Sequence, residues 1–277
     1  MVNYKNVKIS EDARIAKQSV IIGDVTIGRD SCVDLEVDRG CQQLKGENFV
    51  NDGKQLVYHE QENGKRIQWH TLSVPRGGEY KLVLADGTRV WLNAASELMY
   101  PDHFSADQRK VVLKGEAYFE VTKDVKRPFS VVLGDMEVKV LGTSFNVSAY
   151  PGVKRQTTLI EGQVAVNWHR QQVVIRPGQQ AVETDEGLRV ASVNVMNYVG
   201  WKEHRFVYEN KLLGEVLEDL ERWYDVEVFV MHDEIRNLHL TANLPKYENM
   251  DKVLEIIEYA ACVKFEVKGR TVVVRRD

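Results

Sequence analysis

Near its C-terminus the chain repeats one supersecondary pattern. LLGEVLEDLERWYDVEVFVM, starting at Leu212, is followed by MDKVLEIIEYAACVKFEV, starting at Met250. In each stretch apolar residues recur at three-and-four spacing and then run directly into an alternating segment, so an amphipathic helix leads straight into a strand. A unit built this way uses its side chains for packing and leaves no obvious place for chemistry. It points to a recognition domain rather than an enzyme.

The order of the whole module follows from the same periodicities. Phe206 to Tyr208 reads as a strand, and Leu212, Leu213, Val216, Leu217, Leu220 and Trp223 then fall on one helical face. Val226 to Val230 and Leu238 to Ala242 are strands. A second helix turns Met250, Val253, Leu254, Ile257 and Ala261 inward, with Asn249 as its N-cap. Val263 to Val267 and Thr271 to Val274 close the chain as a hairpin around Lys268, Gly269 and Arg270. The expected order is βαββαββ.

From Leu72 to about Val193 the pattern is almost wholly β. Tyr80 to Leu84 and Thr88 to Leu92 form a hairpin around Ala85-Asp86-Gly87, for which a tight type I′ turn is expected. Nine further short strands follow between Val111 and Glu183, many of them bounded by the glycines at 115, 142, 162 and 178. Such a series makes a sandwich, a barrel or a β-solenoid. The fold class is therefore mostly β, with a smaller α+β module after it.

The first 33 residues differ from the rest. Ile9, Ile15, Ile21, Ile27 and Val33 recur every six residues, with Ala13, Ser19, Val25 and Ser31 at the next corner. An inward aliphatic and a small corner residue are what a left-handed parallel β-helix needs, and the segment resembles the hexapeptide-repeat proteins, including acyltransferases and γ-class carbonic anhydrases. It supplies less than two coils, and no histidine precedes His59. It reads as a structural cap or a foreign fusion. Residues 34 to 72 read as two or three short strands, with Asp52-Gly53 and Asn63-Gly64 as turns. The domain division is thus 1–33, 34–200 and 201–277, with a short join near Trp201.

Several function classes are disfavoured by composition. The 37 basic and 41 acidic residues of the 277 are spread along the chain for a net charge of −4, with no basic stripe to track a phosphate backbone. No run approaches the ~18 apolar residues of a membrane span, and the N-terminus lacks the apolar stretch of a secretory signal. Cys32, Cys41 and Cys262 have no C-x-x-C spacing, so buried, inert thiols are expected. The seven histidines show no H-x-H or H-x-x-x-H pair, and no phosphate-binding or nucleophile-elbow motif is present. No catalytic residue, cofactor or metal is therefore assigned. Glu116 and Glu120, either side of Tyr118 on one strand face, could be read as a carboxylate pair, but alternating charge on a β surface is usually its solvated side, and that is the expected reading. Trp69, Trp91, Tyr118, Phe119 and Trp168 raise an alternative, a carbohydrate-binding β module, but inward packing is the expected use of the tryptophans.

The β region carries a family resemblance. PRGGEYKLVLADGTRVWLNAASELMYP, LKGEAYFEV, RPFSV, VLGTSFNVSAY, TTLIEGQVAV and RPGQQAV, in that order, resemble the periplasmic domain of FecR-type anti-sigma factors, the iron-dicitrate sensor family, in its Bacteroidetes form. The last seventy or so residues resemble the small domain that follows it there, related to the N-terminal fold of secretins and TonB-dependent receptors. The resemblance spans about residues 34 to 277. It implies the soluble, periplasmic portion of an inner-membrane sensor that meets the signalling domain of a TonB-dependent outer-membrane receptor and regulates an extracytoplasmic-function sigma factor. In the family a cytoplasmic domain and a single membrane span precede the β domain. The hexapeptide stretch stands in their place here, so sigma-factor contact is expected only through a cytoplasmic domain not present in this chain. Iron and glycan transporters fit the resemblance equally.

The expected contact is protein on protein. Open strand edges accept another chain's strand through backbone hydrogen bonds, and the final hairpin, at Val263, Phe265, Val267, Thr271 and Val273, is the predicted partner-binding edge, with helix docking as the other mode.

Overall fold

A computed structural model describes residues 67–246 and 249–277 in full, and before them the strand segments Lys8–Ile9, Thr26–Ile27, Leu35–Glu36, Leu44–Lys45, Phe49–Asn51 and Gln55–Tyr58. The six-residue repeat lies outside the described residues except where Lys8–Ile9 pairs in parallel with Thr26–Ile27, placing Ile9 opposite Ile27. The turns expected at Asp52-Gly53 and Asn63-Gly64 lie outside them too. The chain divides into two compact units, 1–193 and 194–277.

The first unit is built around one twelve-residue strand, Arg109–Glu120. Its first half pairs antiparallel with Ser96–Pro101 and in parallel with Phe129–Leu133. Its second half pairs antiparallel with Arg89–Leu92 and Ser144–Ala149. Gly115 sits at the changeover with φ +89, where a Cβ would stand 2.5 Å from Ser96 Oγ. Only glycine meets both demands. The strand therefore belongs to two sheets, and the described ladder folds back along it. One sheet runs on through Met136–Val140, Val164–Trp168 and Gln171–Ile175, the other through Gln156–Glu161, Gln179–Thr184 and Gly187–Ser192.

Alternating residues of both sheets meet in a single core. Leu72, Leu98, Val111, Phe129 and Val138 come from one, and Leu82, Val90, Phe119, Phe145 and Leu159 from the other. The Phe119 and Phe145 rings stack at 5.2 Å, and Phe129 lies 6.1 Å from Phe119. Of the three β architectures left open by the sequence, this is a sandwich whose two sheets share a strand and approach a barrel.

The hairpin at Ala85-Asp86-Gly87 departs from the expected type I′ turn. Gly87 N–H bonds to Leu84 O and Leu84 N–H to Thr88 O, both at 2.9 Å, and Gly87 alone of the loop has positive φ, +82. This is a three-residue loop with a glycine bulge. It leaves Asp86 free to accept from Thr88 N and Thr88 Oγ1, and to face Arg109, whose side chain is fully buried. Arg109 donates from Nη1 to Asp86 Oδ2 at 2.8 Å and to Thr122 O at 2.7 Å, and from Nε to Arg127 O at 2.8 Å.

In the second unit the element order is the expected one. Residues 194–204, weakly periodic in sequence, form a helical turn, Met196–Val199, and a 3₁₀ turn, Gly200–Glu203, that cluster with this unit. Arg205–Leu212 then leads into the helix Leu213–Tyr224 and the strand Glu227–Val230. His239–Pro245 leads into the helix Met250–Ala261 and the hairpin Val263–Lys268 and Thr271–Arg276. Asn249 caps the second helix as expected, its side chain accepting from Asp251 N at 3.1 Å. Leu213, Val216, Leu217 and Leu220 of the first helix and Val253, Leu254 and Ile257 of the second are buried in one core. That core also takes Phe206, Tyr208, Leu240 and Leu244 from a two-stranded sheet and Val263, Val272 and Val274 from a three-stranded one.

Candidate functional site

The final hairpin, the predicted docking edge, is placed differently from expectation. Val263–Lys268 is an edge strand, but Thr271–Arg276 is central, pairing antiparallel with it and in parallel with Glu227–Val230. The central position arises because the first repeat returns its strand to the other side of the hairpin, a non-local pairing. Register also separates the five residues by face. Phe265 lies opposite Val274 and Val267 opposite Val272, so Val263, Phe265 and Val267 share the core side. Thr271 and Val273 lie on the other side, with Val273 opposite Phe229, which is 56% exposed. The five therefore form no single surface.

On each edge of this sheet one outward backbone N–H is taken by a side chain of its own module. Glu221, on the first helix, accepts the N–H of Val228 at 2.7 Å, and Glu258, on the second, accepts the N–H of Phe265 at 2.7 Å. Both glutamates lie seven residues before the strand residue they hold. Each also accepts, through its backbone oxygen, the N–H of the left-handed residue that ends its helix, Asp225 or Cys262. The repeat noticed in the sequence is thus a repeat of contacts. Cys262, expected to be buried, is exposed at that helix-ending position.

The two helices differ on their solvent sides. Around the first, Asp219 accepts from Lys211 Nζ at 2.7 Å and Arg222 Nη2 at 2.6 Å. Burial pushes the Asp219 carboxyl up, but Lys211 and Arg222 together hold it below the usual range. Burial also raises the Tyr208 hydroxyl well above its ordinary value. The corresponding positions on the second helix hold Ile256 and Tyr259, the latter 92% exposed.

Lys246 is buried against two tryptophans, with Nζ 3.8 Å from the Trp223 ring centroid and 5.3 Å from that of Trp201. Its Nζ also donates to Trp201 O at 3.5 Å, and Trp223 Nε1 donates to Lys246 O at 2.7 Å.

The enzymatic candidates of the first unit are separately engaged. Glu116 and Glu120 do share a strand face. Glu116 accepts from Asn93 Nδ2 at 2.7 Å and Asn146 Nδ2 at 2.9 Å, while Glu120 pairs with Arg89 at 2.6 Å. This arrangement braces neighbouring strands. Among the described residues no group of three or more His, Cys, Asp or Glu is placed to hold a metal ion.

Trp69 and Trp91 depart from the inward packing expected of the tryptophans, whereas Trp168 packs against the core as expected. Trp91 points away from the core that Val90 and Leu92 fill, edge-on to Tyr118 and beneath Lys81. Trp69 is 42% exposed, and Trp168 is half-buried, donating to Asp135 Oδ2 at 3.0 Å. The three lie on different strands. The core aromatic of this set is Phe119. Asp135 also meets Arg155, which binds Glu183 through Nε at 2.7 Å.

Comparison with known proteins gives these features a family. The model of FecR protein matches residues 70–165, and that of FecR, C-terminal, matches residues 205–274. Two crystal structures of a protein proposed to be an anti-sigma factor from Parabacteroides distasonis ATCC 8503 resemble this chain. One has a TM-score of 0.70 and 27% identity over 75% of this chain and 99% of that one. The other has a TM-score of 0.71 and 26% identity over 76% and 99%. No curated protein matches. With both FecR domains in order, one on each compact unit, and a likeness that spans the relative almost end to end, the chain belongs to the FecR family of anti-sigma factors.

Proposed function

We propose that this chain is the receptor-facing part of a sigma-regulating sensor. In this reading its second unit binds, in the periplasm, the signalling domain of a TonB-dependent outer-membrane receptor. Contact there controls an extracytoplasmic-function sigma factor held through a cytoplasmic domain, with the chain serving as the soluble portion of an inner-membrane protein. Signalling is then a shift between states that differ in receptor contact, without turnover of a substrate.

One observation carries the reading: the FecR match and the FecR C-terminal match fall, in family order, on the two compact units. The internal duplication supports it, because a module of two helix–strand repeats offers strands and helix faces to a protein partner. The test is capture of the signalling domain of a TonB-dependent receptor encoded beside this chain by the full chain in purified form. Saturable capture is expected. Failure of the purified, folded pair to associate overturns the reading.

A further inference from the structure

We propose that the docking edge of the second unit is the strand His239–Pro245, and that it takes an extended strand of the partner. The inference rests on the partner reading above and names the surface.

Register decides which backbone groups face outward. Arg205–Leu212 and His239–Pro245 pair antiparallel, with Arg205 opposite Pro245, Val207 opposite Asn243 and Leu212 opposite His239. Lys246 N–H bonds to His204 O at 2.9 Å, and Leu213 N–H to Leu238 O at 2.7 Å. Those two bonds identify Arg205/Pro245 and Leu212/His239 as pairs that exchange no hydrogen bonds with each other. By alternation Val207/Asn243 is another. The N–H groups of His239, Thr241 and Asn243 therefore point away from the sheet, and Pro245, which has no N–H, falls where the ladder needs none. Thr241 stands opposite a two-residue bulge at Glu209 and Asn210, where Asn210 N–H bonds to its Oγ1 at 2.9 Å. Of the outward oxygens, that of Asn243 already accepts Arg205 Nη2 at 3.3 Å.

The other sheet offers much less. On Glu227–Val230 the outward N–H of Val228 is taken by the Glu221 carboxylate, and that of the preceding Val226 by Glu221 O. On Val263–Lys268 alternation turns the N–H groups of Val263, Phe265 and Val267 outward, and the middle one, that of Phe265, is taken by Glu258. An incoming strand at either edge must first displace a carboxylate, a device that protects edges from pairing.

The open edge also sets the chemistry of its occupant. Leu240 and Leu244 face the core, whereas His239, Thr241 and Asn243 are exposed on the other side. A strand with alternating side chains adds its apolar face beside Leu240 and Leu244 and its polar face beside His239, Thr241 and Asn243. The occupant is an amphipathic strand of the receptor's signalling domain.

The test compares full-length variants in titrations with that purified signalling domain. Thr241→Pro and Asn243→Pro each remove one outward N–H and no backbone ladder bond, although the first also removes the hydroxyl that accepts Asn210 N–H and the second the carboxamide that accepts Arg205 Nε. Each is expected to weaken binding at least about tenfold, with the far-ultraviolet circular dichroism of the parent retained. Glu221→Gln and Glu258→Gln are expected to bind like the parent. Unchanged binding by either folded proline variant overturns this edge while leaving the receptor reading intact. Absence of binding by the parent chain overturns the receptor reading itself.

Discussion

Glu258 accepts the backbone N–H of Phe265 at 2.7 Å, so the second helix blocks the middle of the edge of the strand that follows it. Glu221 does the same for Val228 one repeat earlier. Position in the repeat, rather than local sequence likeness, is what the two share: the strand residues they hold are a valine and a phenylalanine.

Removing the clamp has a measurable cost. A hydrogen bond to a charged group contributes about 1.5–3 kcal/mol, and Glu258 is mostly shielded from solvent. Glu258→Ala is expected to destabilise the second unit by about that amount in urea denaturation. Glu258→Gln, which keeps an acceptor oxygen, is expected to lose less. Amide exchange of Phe265 is expected to accelerate in the alanine variant and to stay slow in the parent.

The Arg109–Asp86 pair is the corresponding test in the first unit. Both side chains are essentially out of solvent. Truncating one partner of a buried pair leaves the other uncompensated and costs about 3–5 kcal/mol. Asp86→Ala is expected to lower the urea midpoint of the first unit accordingly, and Arg109→Met to do so at least as strongly, because it also orphans the Arg127 and Thr122 carbonyls. Midpoints within error of the parent contradict this account of the core.

Acid should destabilise the first unit in part through carboxylates paired with arginine. Hydrogen bonding from Arg155, then from Trp168, lowers the Asp135 carboxyl; Arg155 likewise lowers Glu183; and Arg127 holds Asp124 at about 2. A carboxylate with a lowered folded pKa contributes stability that is present above its unfolded value, about 4, and is lost as pH falls through the folded value. The parent is expected to lose stability progressively below about pH 4. Arg155→Met is expected to flatten that acid limb. An identical acid limb in the variant rules out this assignment.

Lys246 supplies a fourth prediction. A cation over an aromatic face is worth about 0.5–1 kcal/mol when exposed and about 2 kcal/mol or more when desolvated, and Lys246 faces both Trp223 and Trp201. Lys246→Met keeps the stem and removes the charge. It is expected to destabilise the second unit by about 1–2 kcal/mol and to shift tryptophan fluorescence, and unaltered fluorescence and stability count against the packing described.

Legibility in the sequence follows the range of the interaction. The helix faces of the second unit, the Asn249 cap and the order of its elements rest on contacts within a few residues, and the periodicity shows them. Strand position within a sheet does not. Val273 belongs to a hairpin that is evident in sequence, yet its strand is central because a strand from the previous repeat, Glu227–Val230, pairs on its far side. The clamps at Glu221 and Glu258 were accessible in principle, since both glutamates occupy equivalent places in the repeat. The outward Trp91 had a signal as well, for it alternates with Val90 and Leu92, two aliphatics that fill the core. The Asp86 loop depended on a long-range partner, Arg109, which no turn rule contains.

The central claim is that the second unit is a docking adaptor for a protein. Hydrogen exchange of the full chain, with and without the receptor's signalling domain, tests it most directly. The account predicts new protection at His239, Thr241 and Asn243, with Val228 and Phe265 unchanged. Protection confined to residues 70–193, or none in a saturated mixture, would contradict it.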